Sequence, residues 1–433
     1  MRISVIFKWT LASLLTVSSP VIAADLPAPE GPYAVGFRHF ELVADHRHGV
    51  GADRADAARV LPAYLWYPAR RTAGERAAFI PGDDASIQAA SIVRIFRYQP
   101  SEVALLLQGK GSAIKDALPR TGRYPLVIFN HGLLSLPTQN STLAEELASN
   151  GYIVLSIAHP GDAVDLRLDD GRTITANFDF SGDRPLKPSS EAMTTSPDLD
   201  VATKAVDEFR ENVAHTRLDE RLETWRDDIL FAIDAIAHGR TPASVRHILA
   251  RADTANLALT GMSTGGMIAV AVCERLPSCT AAVNIDGQNF APELFDTQVR
   301  RPLLLLQSDW TRYALFGTKT FDESFSPNDL SYQRWQEAGL SRDVVRIRIE
   351  GTRHMGLTDL PLLITGPDAA ARFGDADPVQ VSHAISRLTR AFLDVHLKRR
   401  SPDLMDNIAG RIAGAQLHDP AQIRSWARTH QSR

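Results

Sequence analysis

The stretch Gly261-Met262-Ser263-Thr264-Gly265-Gly266 decides the predicted fold of this chain. Residues 256–260 precede it and form a short, largely apolar run with the length of a strand. Residues 267–273 follow it and are apolar on every side, as in a buried helix. A strand, a tight turn with a glycine two residues before and two residues after a serine, and a helix are typical of a nucleophile elbow. We therefore predict that Ser263 is a catalytic nucleophile.

The two glycines have a steric explanation. A serine in a strained turn needs neighbours without side chains, and Gly261 and Gly265 meet this requirement. The N-terminus of the following helix would direct partial positive charge at an oxyanion beside Ser263. The alternative is an ordinary glycine-rich turn, since the five-residue pattern alone is a weak signal. The strand and helix on either side favour the elbow.

A second apolar strand is predicted at residues 124–130, directly before His131-Gly132-Leu133. Such a run is typical of a central strand of a parallel sheet that leads into a functional loop. The backbone N–H of Leu133 would join that of Thr264 in an oxyanion hole. We interpret His131 as a packed loop residue rather than a catalyst, because it precedes a structural glycine.

The segment after this loop predicts a helix and another strand. Thr142 and Glu145 form a candidate capping box for a helix that ends at Asn150-Gly151, and residues 152–158 form the next apolar strand. Short connections between a strand, a helix and a strand imply a right-handed crossover and parallel strands. The predicted fold class is therefore α/β, an α/β-hydrolase fold with a mostly parallel central sheet and helices on both faces.

Three apolar strands are predicted after the elbow, and each ends near a candidate partner of Ser263. The first ends at Asp286, the second shortly before Asp309 and the third shortly before His354. Serine, acid and histidine in this chain order are typical of α/β hydrolases. We favour Asp286 as the acid because its strand is largely apolar and Gly287 lets the chain turn away. Asp309 stays as the alternative, although the bulky residues after it suit a pocket wall.

The two cysteines, Cys273 and Cys279, lie at the end of the elbow helix and before the next strand. In an oxidising compartment a short-loop disulfide is favoured, and a pair of buried thiols is the alternative. No further cysteine or histidine falls at the spacing of a zinc site, so no metal is predicted. The net charge of −4 gives no indication of a nucleic-acid partner.

Residues 1–24 have the pattern of a secretory signal peptide. Arg2 and Lys8 flank the opening, an apolar centre follows, and Val21-Ile22-Ala23-Ala24 offers a cleavage site. No later stretch approaches the roughly 20 apolar residues of a transmembrane helix. We therefore expect residues 25–433 to form a single exported domain, periplasmic or secreted.

Two parts of that domain have looser patterns. Residues 163–219 depart from the strand and helix alternation and would form a cap-like insertion over the site. Within them, residues 181–200 are rich in serine, proline and charge, and a disordered surface insert is the alternative there. A helix at 379–397 would close the sheet, and residues 401–433 are predicted to be a peripheral tail.

Five motifs occur together in one order, and their combination is more specific than the elbow alone. They are Phe129-Asn130-His131-Gly132-Leu133, Ile157-Ala158-His159, the elbow, Ile285-Asp286 and Gly351-x-x-His354-x-x-Leu357-x-Asp359. Over roughly residues 33–398 the chain resembles the plasma-type platelet-activating-factor acetylhydrolases and their bacterial relatives, often labelled predicted dienelactone hydrolases. The chain departs from the mammalian members in carrying Thr264 where they have an aromatic residue.

The resemblance implies an α/β hydrolase that needs no cofactor and cleaves carboxylic esters, commonly of short acyl groups, in small-molecule or lipid substrates. It also implies that Ser263 is the nucleophile, Asp286 the acid and His354 the base, with Leu133 and Thr264 supplying the oxyanion hole. An amidase or peptidase of the same fold is one alternative. A non-catalytic binding protein on this fold is another, but all three triad positions are filled here.

Overall fold

A computed structural model describes residues 25–48, 58–70, 73–82, 85–196, 198–214, 216–289, 299–313 and 344–419, with isolated positions between and after these ranges. The signal sequence predicted at residues 1–24 lies outside the described residues. The strands of the described residues are β1 (Ala34–His48), β2 (Ala58–Ala69), β3 (Arg76–Ala78), β4 (Lys110–Lys115), β5 (Tyr124–Asn130), β6 (Ile153–Ile157), β7 (Leu166–Arg167), β8 (Thr173–Ile174), β9 (Ala252–Met262), β10 (Cys279–Ile285), β11 (Leu303–Gln307), β12 (Val344–Ile349) and β13 (Ala415–Leu417).

The helices lie between these strands, with four of them in succession before β9. In the described residues they are α1 (Ala85–Phe96), α2 (Ser141–Ser149), α3 (Lys187–Thr195), α4 (Leu199–Val213), α5 (Arg217–Ala237), α6 (Ala243–Leu249), α7 (Thr264–Arg275), α8 (Leu360–Leu363), α9 (Ala369–Phe373), α10 (Pro378–Lys398) and α11 (Asp403–Ala409). Short 3-10 helices occur at Ala104–Leu107, Ser181–Leu186 and His354–Leu357.

One sheet organises the molecule. In the described residues its strand order is β13-β12-β11-β10-β9-β5-β6-β2-β1-β4-β3. The neighbours from β6 through β5, β9, β10 and β11 to β12 all pair in parallel. Antiparallel pairs add β2 and β1 on one side and β13 on the other. The mostly parallel α/β architecture predicted from the sequence is confirmed.

The sheet is covered on both faces because its central strands are apolar on both faces. In β5, Val127 and Phe129 pack in one hydrophobic core, whereas Leu126 and Ile128 pack in the other. Successive side chains of a strand point to opposite faces, so this alternation places one core on each side of the sheet. Helices α2 and α10 cover the first core, and α5, α6 and α7 cover the second.

Parallel strands bring their carboxyl ends to one edge of the sheet, where ligands of open α/β sheets bind. The loops after β5, β9, β10, β11 and β12 therefore meet at that edge. These loops carry, in order, His131, Ser263, Asp286, Asp309 and His354. Ser263 and His354, which are 91 positions apart in the chain, are thus brought into hydrogen-bond distance.

The capping box predicted for α2 is wrong. The helix begins at Ser141, and its N-terminal Thr142 N–H donates to the carboxylate of Asp359, 217 residues later, at 2.9 Å. Glu145 turns instead to β4, where its carboxylate accepts the N–H groups of Ser112 and Ala113 at 2.7 and 3.1 Å. Burial raises the pKa of Glu145 to about 7. A carboxylate from a distant loop replaced the local cap because the loop after β12 packs directly on this helix end.

The excursion predicted as a cap-like insertion at residues 163–219 contains the β7–β8 hairpin and then helical segments. Within it, residues 181–195 form a 3-10 helix followed by α3, and α4 packs on α3 around Met193 and Phe209. The excursion attaches to the main body through Arg221 at the start of α5. Its guanidinium pairs with Asp183 of the excursion at 2.8 Å and with Asp162 of the loop after β6 at 3.2 Å.

The C-terminal region adds to the sheet. Helix α10 buries Leu388 and Phe392 against the first core. After α11, β13 pairs antiparallel with β12 and becomes an edge strand, so part of the predicted tail belongs to the sheet. In the described part of the chain, no helix is both long enough and apolar enough to cross a membrane.

Candidate active site

Ser263 stands between β9 and α7 in a backbone conformation that L-residues rarely adopt. Its φ is 57° and its ψ is −128°. The turn fits because the residues two positions before and two positions after Ser263 are glycines. A Cβ on Gly261 would lie 2.3 Å from the carbonyl carbon of Gly265, and a Cβ on Gly265 would lie 2.2 Å from the carbonyl oxygen of Asn130. Close backbone packing against β5 therefore holds Ser263 at the carboxyl end of the parallel strands.

Asp286 follows β10 directly and is buried, with a φ of 54°. Its Oδ1 accepts the Ser308 N–H at 3.0 Å and the Trp310 indole N–H at 3.2 Å. Its Oδ2 accepts the Ser308 hydroxyl at 2.7 Å. Each oxygen of a carboxylate can accept two hydrogen bonds. Oδ1 therefore has both of its donors, whereas Oδ2 can accept one more, and a buried acceptor needs its partners.

That further partner is His354, which opens the 3-10 helix after β12. Its Nδ1 lies 2.7 Å from Oδ2 of Asp286, and its Nε2 lies 3.0 Å from Oγ of Ser263. The imidazole is buried, and Ser263 is partly exposed. The three residues that the sequence singled out are therefore joined by two hydrogen bonds, with the serine on the accessible side.

Asp309, the alternative acid, contacts the backbone of the loop that leads to His354. Its Oδ2 accepts the N–H of Gly351 at 2.8 Å, and its own N–H donates to the carbonyl of Thr352 at 2.8 Å. Gly351 has a φ of 71° and begins the turn that leads to His354. Asp309 thus holds the loop that carries the histidine, and the carboxylate that contacts the ring belongs to Asp286.

The loop after β5 lies against Ser263. A Cβ built on Gly132 would stand 3.4 Å from Cβ of Ser263. Among the described residues, no hydrogen bond uses the N–H of Leu133 or of Thr264. Thr264 is the first residue of α7, where backbone N–H groups and the helix dipole favour negative charge. Two backbone donors are therefore available beside the serine.

Known proteins support a definite assignment. The family profile described as platelet-activating factor acetylhydrolase, isoform II, matches residues 21–411. This chain belongs to that family. It is similar to the platelet-activating factor acetylhydrolase of Gallus gallus, with 22% identity over 409 residues that cover 89% of this chain and 87% of the relative. The resemblance read from the motifs is confirmed, and with it the activity class, a carboxylic ester hydrolase.

A solved structure confirms the fold of this family member. This chain is similar to a ferulic acid esterase from Streptomyces cinnamoneus, with a TM-score of 0.67 and 19% identity. The match covers 92% of this chain and 100% of the esterase. At this level of identity the comparison concerns the fold.

Sequence analysis missed a buried polar cluster under the loop after β5 of this acetylhydrolase-family chain. Asp228 of α5 makes two 2.6 Å hydrogen bonds with Arg59 of β2 and lies 2.9 Å from Nδ1 of His159. The indole of Trp225 stacks on His159 at a centroid distance of 4.0 Å. Burial works against the charge of Asp228, but Arg59 and His159 outweigh it and lower the pKa of this carboxyl. An acidic residue beside the apolar stripe of α5 was the available signal.

Side chains from α2 and the residues before it join the two loops of the site. The side-chain oxygen of Gln139 accepts the Gly132 N–H at 3.1 Å, and the backbone carbonyl of Gln139 accepts the Asp359 N–H at 2.7 Å. The side chain of Asn140 donates to the carbonyl of Leu357 at 2.9 Å. The loop beside Ser263 and the loop that carries His354 are therefore held to the same helix end.

A disulfide lies near the site. The sulfurs of Cys273 and Cys279 are bonded to each other, which joins the end of α7 to the start of β10. Both elements flank Ser263 or Asp286. Among the described residues, no group of three or more His, Cys, Asp and Glu side chains is arranged to hold a metal ion.

The close packing around Ser263 generates a prediction about stability. We expect Gly265→Ala to lower the free energy of unfolding by about 3 kcal/mol, because a methyl group 2.2 Å from the Asn130 carbonyl forces β5 or α7 to shift. Gly132→Ala is the control, since its added methyl would meet its neighbours at 3.4 Å or more. We expect it to cost less than about 1 kcal/mol. Urea unfolding measures both, and equal losses would contradict the prediction.

Proposed function

We propose that this chain is an exported serine esterase in which Ser263, His354 and Asp286 form the catalytic triad. The observation that carries the proposal is the pair of hydrogen bonds that link the three side chains, 3.0 Å from Ser263 Oγ to His354 Nε2 and 2.7 Å from His354 Nδ1 to Asp286 Oδ2. The strained backbone of Ser263 and its position at a helix N-terminus also support it.

The reaction follows from these contacts. His354 Nε2 takes the proton of Ser263 as Oγ attacks the ester carbonyl, and Asp286 orients and stabilises the resulting imidazolium. The N–H groups of Leu133 and Thr264 bind the oxygen on which negative charge develops. His354 then gives its proton to the leaving alcohol, and an acyl group remains on Ser263. Water attacks this ester with His354 again as base and releases the acid.

The role of Ser263 is tested by covalent labelling. We expect a fluorophosphonate to modify Ser263 alone, as peptide mapping would report, because its hydroxyl meets a buried imidazole and lies at the N-terminus of α7. Ser263→Ala should remain folded and lower kcat by about 10⁴ or more. Label on another serine, or a folded Ser263→Ala variant with esterase activity, would falsify the assignment.

The choice of acid is tested by two matched variants. In Asp286→Asn the amide oxygen is drawn to the Oδ1 position, where Ser308 and Trp310 donate, so its NH₂ group faces Nδ1 of His354. This enforces the wrong histidine tautomer, and we expect kcat to fall by up to about 10⁴. Asp309→Asn can still accept the Gly351 N–H and should cost much less. Steady-state kinetics on both folded variants decide, and the reverse ranking contradicts the assignment.

The proposed substrates are small-molecule or lipid esters with short acyl groups, including phospholipid-type esters. The family description and the name of the Gallus gallus relative support this choice. We expect kcat/KM on p-nitrophenyl esters to be highest for acetate or butyrate and to decline toward palmitate. Measurements below the solubility limit of each ester provide the comparison, and faster turnover of palmitate would rule the preference out.

Export is proposed from the pattern of residues 1–24 and from the bonded cysteines, since disulfides persist in oxidising compartments. The mature chain from residue 25 would be one hydrolase domain with residues 163–219 as a cap-like insertion. We expect the full chain, expressed in a bacterium, to be recovered outside the cytoplasm with its N-terminus near Asp25. N-terminal sequencing checks this, and a cytoplasmic product that retains residues 1–24 would contradict it.

A further inference from the structure

The peptide group between Gly132 and Leu133 carries one of the two proposed oxyanion donors. This peptide is trans, so the N–H of Leu133 points opposite to the C=O of Gly132. The Gly132 carbonyl lies 2.7 Å from Nδ1 of His131 and accepts the Ser135 N–H at 3.0 Å. Whatever fixes the direction of this carbonyl therefore also fixes the direction of the Leu133 N–H.

The imidazole of His131 is held in one protonation state and one tautomer. Its Nε2 lies 3.0 Å from the backbone N–H of His159. A backbone N–H can only donate, so Nε2 is the acceptor and the ring proton is on Nδ1. Burial, together with His159, lowers the pKa of His131 to about 3, so the ring stays neutral. The Nδ1–H then donates to the carbonyl of Gly132.

The ring is also held in orientation. His131 is fully buried and packs against His159 and Trp225, with centroid distances of 5.3 and 5.0 Å. His159 is in turn held by Asp228, which Arg59 pairs from β2. A buried ion pair is costly to break, which makes this support rigid. The cluster therefore holds the ring of His131, whose Nδ1 contacts the Gly132 carbonyl.

We propose that His131 is a positioning residue for ester hydrolysis, whose Nδ1–H holds the Gly132 carbonyl and so directs the Leu133 N–H at the developing oxyanion. This inference rests on the oxyanion role proposed above for Leu133. An oxyanion exists only in the transition state and the tetrahedral intermediate. Loss of the Nδ1 donor is therefore expected to lower kcat with little change in KM.

Two conservative variants each keep one of the two hydrogen bonds of the ring. The side-chain amide of His131→Asn reaches the position of Nδ1 and can still donate to the Gly132 carbonyl. The longer side chain of His131→Gln reaches the position of Nε2 and can accept from His159 only. We expect kcat within about fivefold of wild type for His131→Asn and lowered about 10²-fold for His131→Gln, with similar KM values.

Steady-state kinetics on p-nitrophenyl acetate, with active sites titrated and thermal unfolding recorded, decide between positioning and stability. A purely structural role would lower the melting temperature of both variants and leave kcat per folded site unchanged. That result, an equal loss in both variants, or a greater loss in His131→Asn would overturn the proposal. Either variant alone can contradict the proposal. A normal kcat in His131→Gln would do so, and so would a full loss of kcat in His131→Asn.

A measurement on the unsubstituted protein is independent of folding in the variants. In ¹⁵N-histidine NMR spectra we expect His131 to be a neutral Nδ1–H tautomer throughout pH 5 to 9. An Nε2–H tautomer, or titration in this range, would overturn the proposal. The Ser263→Ala control separates the two levels of inference. Activity in Ser263→Ala would remove the proposed function, whereas an inactive Ser263→Ala with a fully active His131→Gln would remove only the role of His131.

Discussion

The contact of backbone against backbone around Ser263 is the constraint on which the site depends. The turn between β9 and α7 is packed so closely on the end of β5 that a single methyl group on Gly265 would overlap a carbonyl oxygen. The same holds on the other side, where a Cβ on Gly287 would lie 2.2 Å from the carbonyl oxygen of Ser263. Ser263 and Asp286 both have positive φ values next to these contacts. The strain is tolerated because the parallel strands on either side fix the positions of both chain segments.

Among the described residues, Asp286 with His354 and Asp228 with His159 are both buried Asp–His pairs, and their surroundings separate their roles. In both, a carboxylate lies within 3 Å of Nδ1 of a histidine, Asp286 with His354 and Asp228 with His159. His159 is fully buried and its face is covered by Trp225, so it has no access to a substrate. The other nitrogen of His354 instead meets a partly exposed serine. A buried carboxylate and imidazole are thus a general means of fixing a ring, and the third partner determines what the ring can do.

The N-terminal end of α2 is where the separate parts of the site are joined. Asp359 caps this helix end, five residues after His354, and accepts from Ser141 and Thr142. Burial raises the pKa of Asp359 to about 6. Gln139, just before the helix, holds the Gly132 N–H of the loop beside Ser263. A displacement of this helix end would therefore move the loop that carries His354 and the loop that carries Leu133 together.

The sequence by itself determined the strand, turn and helix around Ser263, the parallel α/β fold and the order of serine, acid and histidine. These follow from local pattern, because an apolar run, a pair of glycines and a buried helix each have a signature within a few residues. Only the tertiary structure decided that Asp286 contacts His354 while Asp309 holds Gly351, since both acids follow neighbouring, largely apolar strands. The cap of α2 and the Arg59–Asp228 pair also escaped local pattern, because the partners lie 217 and 169 residues apart. Such contacts form only when the sheet brings distant loops to one edge, and a buried carboxylate then takes whichever donors lie nearest in space.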